Sequence, residues 1–183
     1  LLSATLRTAN PIEEPGILEL IEAAFERPGR ESRFVELLAQ HHPSFDPSLS
    51  LFAEVDGKGA GYALFLPREI LLRGVHVPLA VAAPLGVLPE ARGQGIGRLL
   101  ISTGLAALAD RGLRGAIAIG APDFYGALGF ASAFDLHAVH VRPEHLPPPD
   151  ESAPWRAITS EDLEALGRLQ SESYEHASGT ETR

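Results

Sequence analysis

Residues 85–100 read Leu85-Gly86-Val87-Leu88-Pro89-Glu90-Ala91-Arg92-Gly93-Gln94-Gly95-Ile96-Gly97-Arg98-Leu99-Leu100. An apolar extended run passes into a glycine-rich turn, and the turn opens a helix with apolar residues at helical spacing. Glycines at 93, 95 and 97 let the backbone approach a ligand with no Cβ in the way. The first turn of a helix has N–H groups without intrahelical partners, and its dipole end is partly positive. Together these features form a cradle for an anion such as a pyrophosphate. Arg92 and Arg98 flank the cradle, where they would add charge-assisted contacts. The spacing is GxGxG and not the GxGxxG of dinucleotide folds, and no acidic residue closes a following strand about 20 residues on, which argues against a nicotinamide-dependent enzyme. GxxxxGK[ST] is absent, which excludes a Walker loop. The structural alternative is a glycine-rich helix start that binds nothing.

Outward from this stretch, the patterning alternates between two periods. Leu6-Arg7-Thr8 is β-prone. Gly16 to Phe25 and Glu31 to Gln40 carry apolar residues at helical spacing, and Pro28-Gly29 divides them. Ser50 to Val55 and Gly61 to Leu66 are strand-like, with Asp56-Gly57-Lys58-Gly59 as the turn between them. Ile70 to Val75 and Val77 to Val87 read as two further strands. Pro84 cannot donate a ladder hydrogen bond, so a bulge or splay is expected there. Ile96 to Ala109 is a helix with an apolar face at Ile96, Leu99, Leu100, Thr103, Leu105, Ala106 and Ala109. Ala116 to Ile119 is a short apolar strand, Phe124 to Leu128 a short helix, and Phe130 to Val141 extended. Pro147-Pro148-Pro149 marks a connector. Ser160 to Ser173 reads as a last helix with Ser160 as N-cap. This order predicts a mixed, mostly antiparallel α/β sheet with a splayed parallel strand pair and helices on both faces. The expected domain spans 1–146, and 147–183 forms an appendage, a remnant or the start of a second copy. Leu6-Arg7 and Trp155-Arg156 give a faint echo of each other, each preceding a polar stretch and an amphipathic helix.

The 183 residues are 45% hydrophobic and 21% charged, the mix of an ordinary globular protein. No run approaches the ~18 apolar residues that span a membrane. Residues 1–7 lack the flank and apolar stretch of a signal peptide. There are no cysteines, so neither a disulfide framework nor a thiolate zinc site is expected. A cytoplasmic location follows as the expectation. The net charge of -9 argues against broad nucleic-acid binding; it would mildly favour a cationic substrate, although solubility alone is the stronger reason for such a charge.

The glycine stretch also carries a resemblance. Arg92-x-x-Gly95-x-Gly97, after a run ending Val87-Leu88-Pro89, matches the [QR]-x-x-G-x-[GA] signature of the GNAT superfamily of N-acetyltransferases. Asp123-Phe124-Tyr125-Gly126-Ala127-Leu128-Gly129-Phe130 resembles that family's FYxxxGF segment. The likeness covers roughly residues 5 to 145. Gly120 to Tyr125 is most similar to the YhbS-like bacterial branch.

The resemblance implies an acetyl-CoA-dependent acyltransferase with acetyl-CoA as cosubstrate and no metal. The cofactor would lie between splayed strands, Ala83 to Leu88 and Ala116 to Gly120. Leu85, Gly86 and Val87 would meet the pantetheine arm, and the Leu85 N–H would polarise the thioester carbonyl as an oxyanion donor. Arg92, Gly93, Gln94, Gly95, Ile96, Gly97 and Arg98 would hold the pyrophosphate. Tyr125 matches the tyrosine that protonates the departing thiolate. The acceptor would be a small-molecule or peptide amine, with no nucleic-acid or membrane partner, and a homodimer is compatible with the family. Many relatives place a glutamate on the strand before the tyrosine, but Gly115-Ala116-Ile117-Ala118-Ile119 holds no carboxylate. Glu54, Glu69, His76 and Asp123 are the candidate substitutes. That missing carboxylate keeps open a non-catalytic acyl-CoA-binding or sensing domain on the same fold. His41, His42, His137 and His140 have no metal-ligand spacing.

Overall fold

Side-chain alternation in residues 50–66 decides which face of the sheet each helix covers. The computed structural model of the protein describes residues 4–25, 29–72, 75–133, 156, 158–162 and 164–169. The chain divides into two compact units, Leu1–Ala131 and Ser132–Arg183. The first unit holds β1 (Ala4–Thr8), α1 (Pro15–Ala24), α2 (Arg30–His41), β2 (Ser50–Val55), β3 (Lys58–Leu72), β4 (Val75–Val87), α3 (Ile96–Ala109), β5 (Ala116–Ile117) and α4 (Pro122–Gly126). The strands form one sheet in the order β1-β2-β3-β4-β5. The first three pairings are antiparallel and β4–β5 is parallel.

Period-2 alternation sends Tyr62 and Leu64 to the α1 and α2 side, where they join Ile17, Ile21 and Val35. Ala63 and Phe65 point the other way and join Leu100, Ile101 and Leu108 of α3. The mixed sheet with helices on both faces is therefore present. The buried face of α3 is Ile96, Leu100, Ile101, Gly104 and Leu108. It is rotated from the expected one: Leu99 is 37% exposed, and Ala106 and Ala109 face solvent. Gly104 explains the rotation, because a Cβ there would lie 2.0 Å from the Phe65 ring. Only a bare backbone lets α3 settle this close to the sheet.

The Asp56-Gly57 turn has positive φ at both residues, 50° and 73°. That is the geometry a two-residue hairpin needs. Ile70 to Val75 is not a strand of its own. β3 runs unbroken through Pro67, which pairs with Ala80 of β4. Pairing with β2 ends at Leu64. Pro67 thus sits where β3 has only one described neighbour, and its missing N–H costs no ladder bond on the open side.

Among the described residues of the second unit, Ser160–Asp162 forms a 3-10 turn and residues 164–169 are helical. Ser160 lies inside the turn and is not its cap. The Thr159 N–H and hydroxyl both donate to Asp162 Oδ2, at 2.9 and 3.1 Å. Arg156 donates to the same carboxylate at 2.6 Å. Arg7 makes a similar pair with Glu14 in the first unit, at 2.7 Å. The expected strand Phe130 to Val141 lies mostly outside the described residues, and its residues 130–133 are not strand. No described helix is long and apolar enough to cross a membrane.

Candidate functional site

The site begins where two parallel strands part. β4 pairs with β5 only at Ala80↔Ala116 and Val81↔Ile117. Just beyond, β4 carries one residue more than β3: Phe65 faces Ala82, but Ala63 faces Leu85. The extra residue falls at Ala83-Pro84, as expected from a proline that cannot join the ladder. The strand expected to run through Ile119 stops at Ile117, where its pairing with β4 ends at Val81, just before the irregular stretch of β4. Residues 82–87 are then left with a backbone edge that no described strand covers.

At the far end of β4, Pro89–Ala91 makes a 3-10 turn and the glycine loop follows. Gly93 and Gly95 have φ of 76° and 83°. A Cβ on either would meet no protein atom, so their need is the left-handed backbone itself. Gly95 is the N-cap of α3, and no side chain caps that helix. The first-turn residues Ile96, Gly97 and Arg98 line a cavity of about 870 Å3, and no described side chain caps their N–H groups. Nine of the ten expected cofactor positions line this cavity: Leu85, Gly86, Val87, Arg92, Gly93, Gly95, Ile96, Gly97 and Arg98. Gln94 does not; its Nε2 donates to the Glu90 carbonyl at 3.1 Å. Arg92 lines the cavity but has other work. Its Nε donates to the Val87 carbonyl at 3.2 Å and its Nη2 to the Ala24 carbonyl at 3.0 Å.

Tyr125 sits on α4, one ring from Phe124 (centroids 5.0 Å apart) and one from Phe130 (5.3 Å). Both contacts are edge-on, a favourable aromatic geometry. A Cβ on Gly120 would lie 2.7 Å from the Tyr125 ring, so the chain after β5 passes close against it. Burial raises the Tyr125 phenol above its ordinary value of 10. It is a proton-bearing group at neutral pH. Tyr125 lines a second cavity of about 860 Å3, together with Pro84, Leu85, Phe34 and Leu37. Phe25, Glu31, Leu85, Ala121 and Phe124 line both cavities.

The four substitute bases lie elsewhere. Glu54 pairs with Arg7 at 3.3 Å. Glu69 and His76 face each other at 3.6 Å on exposed strand. Asp123 is in the first turn of α4. None of them lines either cavity. Glu31 does, and sequence reading missed it: it stood only as the first residue of an amphipathic helix. A helical period says which residues share a face, but not which cavity that face meets. Among the histidines, His42 accepts from the Ser44 N–H through Nδ1 at 3.0 Å. Burial holds it below its ordinary value, and Arg68 adds to this. His137 and His140 lie outside the described residues. Among the described residues no group of three His, Cys, Asp or Glu side chains is arranged for a metal ion.

Residues 5–133 match the family model described as acetyltransferase (GNAT) domain. The chain is 31% identical over 131 residues to the uncharacterized N-acetyltransferase YhbS of Escherichia coli, covering 70% of this chain and 74% of that protein. A GNAT family acetyltransferase from Brucella melitensis, solved in complex with acetyl-CoA, superposes with a TM-score of 0.61 at 32% identity. The match covers 72% of this chain and 85% of the other. Escherichia coli YhbS in complex with CoA gives a TM-score of 0.61 at 32% identity, over 72% and 70% of the two chains.

Proposed function

The chain belongs to the GNAT family of acetyltransferases, and from that premise we propose that it transfers an acetyl group from acetyl-CoA to an amine in one ternary complex. The observation that carries this is the continuity of the site. One cavity runs from the uncapped end of α3 to the open edge of β4, and at Leu85 it meets a second cavity that holds Tyr125.

The fit is chemical as well as spatial. The N–H groups at Gly95, Ile96 and Gly97 form the anion cradle, and Arg98 beside them adds a cation for a diphosphate. The open edge of residues 82–87 offers backbone groups to a pantetheine amide. Acetyl-CoA supplies the activated acyl group as a thioester. The Leu85 N–H is assigned to the thioester oxygen, where one well-placed donor is worth about 10²–10³ in rate. Tyr125 gives its phenolic proton to the sulfur as the carbon–sulfur bond breaks. The amine, once it has lost the ammonium proton to solvent, attacks the thioester carbon through its nitrogen lone pair, and the N–H proton left over after the new bond forms passes to water. A cysteine nucleophile has no part, and the chain contains none. A chain without cysteine, with a net charge of -9, also suits work in the cytoplasm on a cationic small molecule or peptide.

Calorimetric titration with acetyl-CoA tests the reading, using wild type, Gly95→Glu and Arg98→Glu. Micromolar binding that is lost in folded Gly95→Glu and weakened in Arg98→Glu is the expected result. Wild-type protein that is folded and free of CoA, yet binds none, overturns it. An acyl-CoA-binding domain without catalysis remains the second reading, because β5 (Ala116–Ile117) carries no carboxylate. Binding without turnover on any amine would favour it.

A further inference from the structure

Five residues line both cavities, and Glu31 alone among them is ionisable. Its Oε2 is buried and has no hydrogen-bond partner among the described residues. Folded proteins rarely leave a buried polar atom unpaired, and an unpaired carboxylate oxygen is costlier than a neutral one. Glu31 lies in the first turn of α2, where the positive helix end favours a negative charge and offsets part of that cost. The rest is what a bound cation would supply. On the far side of Glu31 the second cavity has apolar walls from Phe34, Leu37 and Ile119. These are large side chains exposed by 47%, 41% and 83%. The same cavity is lined by Arg30 and Arg33. Arg33 is engaged by Glu36 at 2.6 Å. Arg30 and Arg33 make the cavity unfavourable to added positive charge, and Glu31, the one carboxylate in its described lining, offsets a single ammonium but not the second or third charge of a polyamine.

We propose that this second cavity is the acceptor site, that it takes a primary monoamine with an apolar aryl or branched alkyl body, and that the Glu31 carboxylate binds the ammonium beside Leu85. The assignment rests on the acetyl-transfer reading, whose cofactor occupies the other cavity. It gives each unusual feature one cause. The unpaired oxygen meets the ammonium, the exposed apolar side chains meet the body, and the arginines exclude polyamines.

Wild type, Glu31→Gln and Phe34→Ser are assayed with acetyl-CoA and one of three acceptors: phenethylamine, methylamine or spermidine. Phe34 is exposed, so its replacement leaves the core intact. Wild type should favour phenethylamine over methylamine by at least tenfold in kcat/KM, the order expected for burying a ring, and should favour spermidine least. Phe34→Ser should lower kcat/KM for phenethylamine about tenfold and leave methylamine unchanged. Glu31→Gln should raise KM for both monoamines about tenfold or more, since it removes a charged hydrogen-bond partner. The Kd for acetyl-CoA should hold in Phe34→Ser, whose side chain lies outside the lining of the cofactor cavity. Preference for spermidine, a Phe34→Ser variant indifferent to the ring, or an unchanged KM in Glu31→Gln would each overturn the proposal. Failure of the acetyl-transfer reading shows separately, as wild type that binds no acetyl-CoA. In that case calorimetry with phenethylamine alone decides: binding lost in Glu31→Gln sustains the site, and no binding to wild type removes it.

Discussion

The Arg92 guanidinium donates to the Ala24 carbonyl, 68 residues earlier in the chain, at 3.0 Å. Its Nε reaches the Val87 carbonyl at 3.2 Å. One side chain thereby ties the end of α1 to the end of β4, and Ala24, Val87 and Arg92 all line the cavity beside the glycine loop. Arg92 therefore positions the loop in addition to bringing a positive charge. Lysine keeps the charge but lacks the planar fork. Arg92→Lys should weaken acetyl-CoA binding about tenfold and lower the melting temperature, read by calorimetry and thermal unfolding. If charge at a phosphate were its whole contribution, Arg92→Lys would bind nearly as wild type does.

Tyr125→Phe keeps the aromatic contacts with Phe124 and Phe130 and removes only the hydroxyl. A general acid is worth about 10²–10⁴ in rate. The expected outcome is kcat down at least a hundredfold, with the Kd for acetyl-CoA unchanged. Burial raises the phenol above 10, so wild-type kcat should show no loss from deprotonation of this group until the pH exceeds 10.

In the core, the Ser50 and Tyr62 hydroxyls share a hydrogen bond of 2.9 Å and both residues are fully buried. Either Ser50→Ala or Tyr62→Phe leaves the other hydroxyl unpaired, at about 1–3 kcal/mol. The double variant should cost less than the sum of the two single ones, because no orphan remains. Chemical denaturation of the four proteins measures this coupling; strict additivity would mean that the hydroxyls do not interact.

Gly104→Ala reverses the usual helix rule. Alanine gains up to about 1 kcal/mol over glycine inside an exposed helix. Here the new Cβ would meet the Phe65 ring at 2.0 Å. Overpacking of a filled core costs about 1–3 kcal/mol, so the variant should be less stable than wild type by urea denaturation.

Arg7 holds Glu14 through two hydrogen bonds, 3.0 and 2.7 Å long, and lowers its carboxyl below the ordinary 4.5. A lowered folded value means that the unfolded chain takes up the proton first. The contribution is present in full above pH 4.5 and is lost as the pH falls through the lower, folded value. The pair is 40% exposed on each side, so solvent screening limits it to about 0.5–1 kcal/mol. Glu14→Gln should lower stability slightly at pH 7 and converge with wild type in strong acid. Parallel melting curves down to pH 2 would show the pair to be inert.

Much of the fold was legible because its signals are local. The Asp56-Gly57 hairpin, the α3 boundaries and the glycine cradle each rest on a few adjacent residues and their backbone preferences. The bulge at Ala83-Pro84 was legible for the same reason, since a proline lacks its N–H wherever it lies. Other features resisted. Gly61 to Leu66 and Ile70 to Val75 read as separate strands, yet β3 continues between them through Pro67, where β2 has already ended. The face of α3 was misjudged because Gly104 carries no apolar side chain to mark the buried stripe.

For the site, the sequence by itself determined the chemistry of the cradle and the motif that contains Tyr125. Only the tertiary structure decided that Arg92 braces α1 and that Glu31 stands where the two cavities meet. Local preference acts over a few residues, as in the Gln94 contact four residues back, whereas the settings of Arg92 and Glu31 depend on where α1 and α2 lie against the end of β4. That placement is set by packing across the sheet, between residues far apart in the chain.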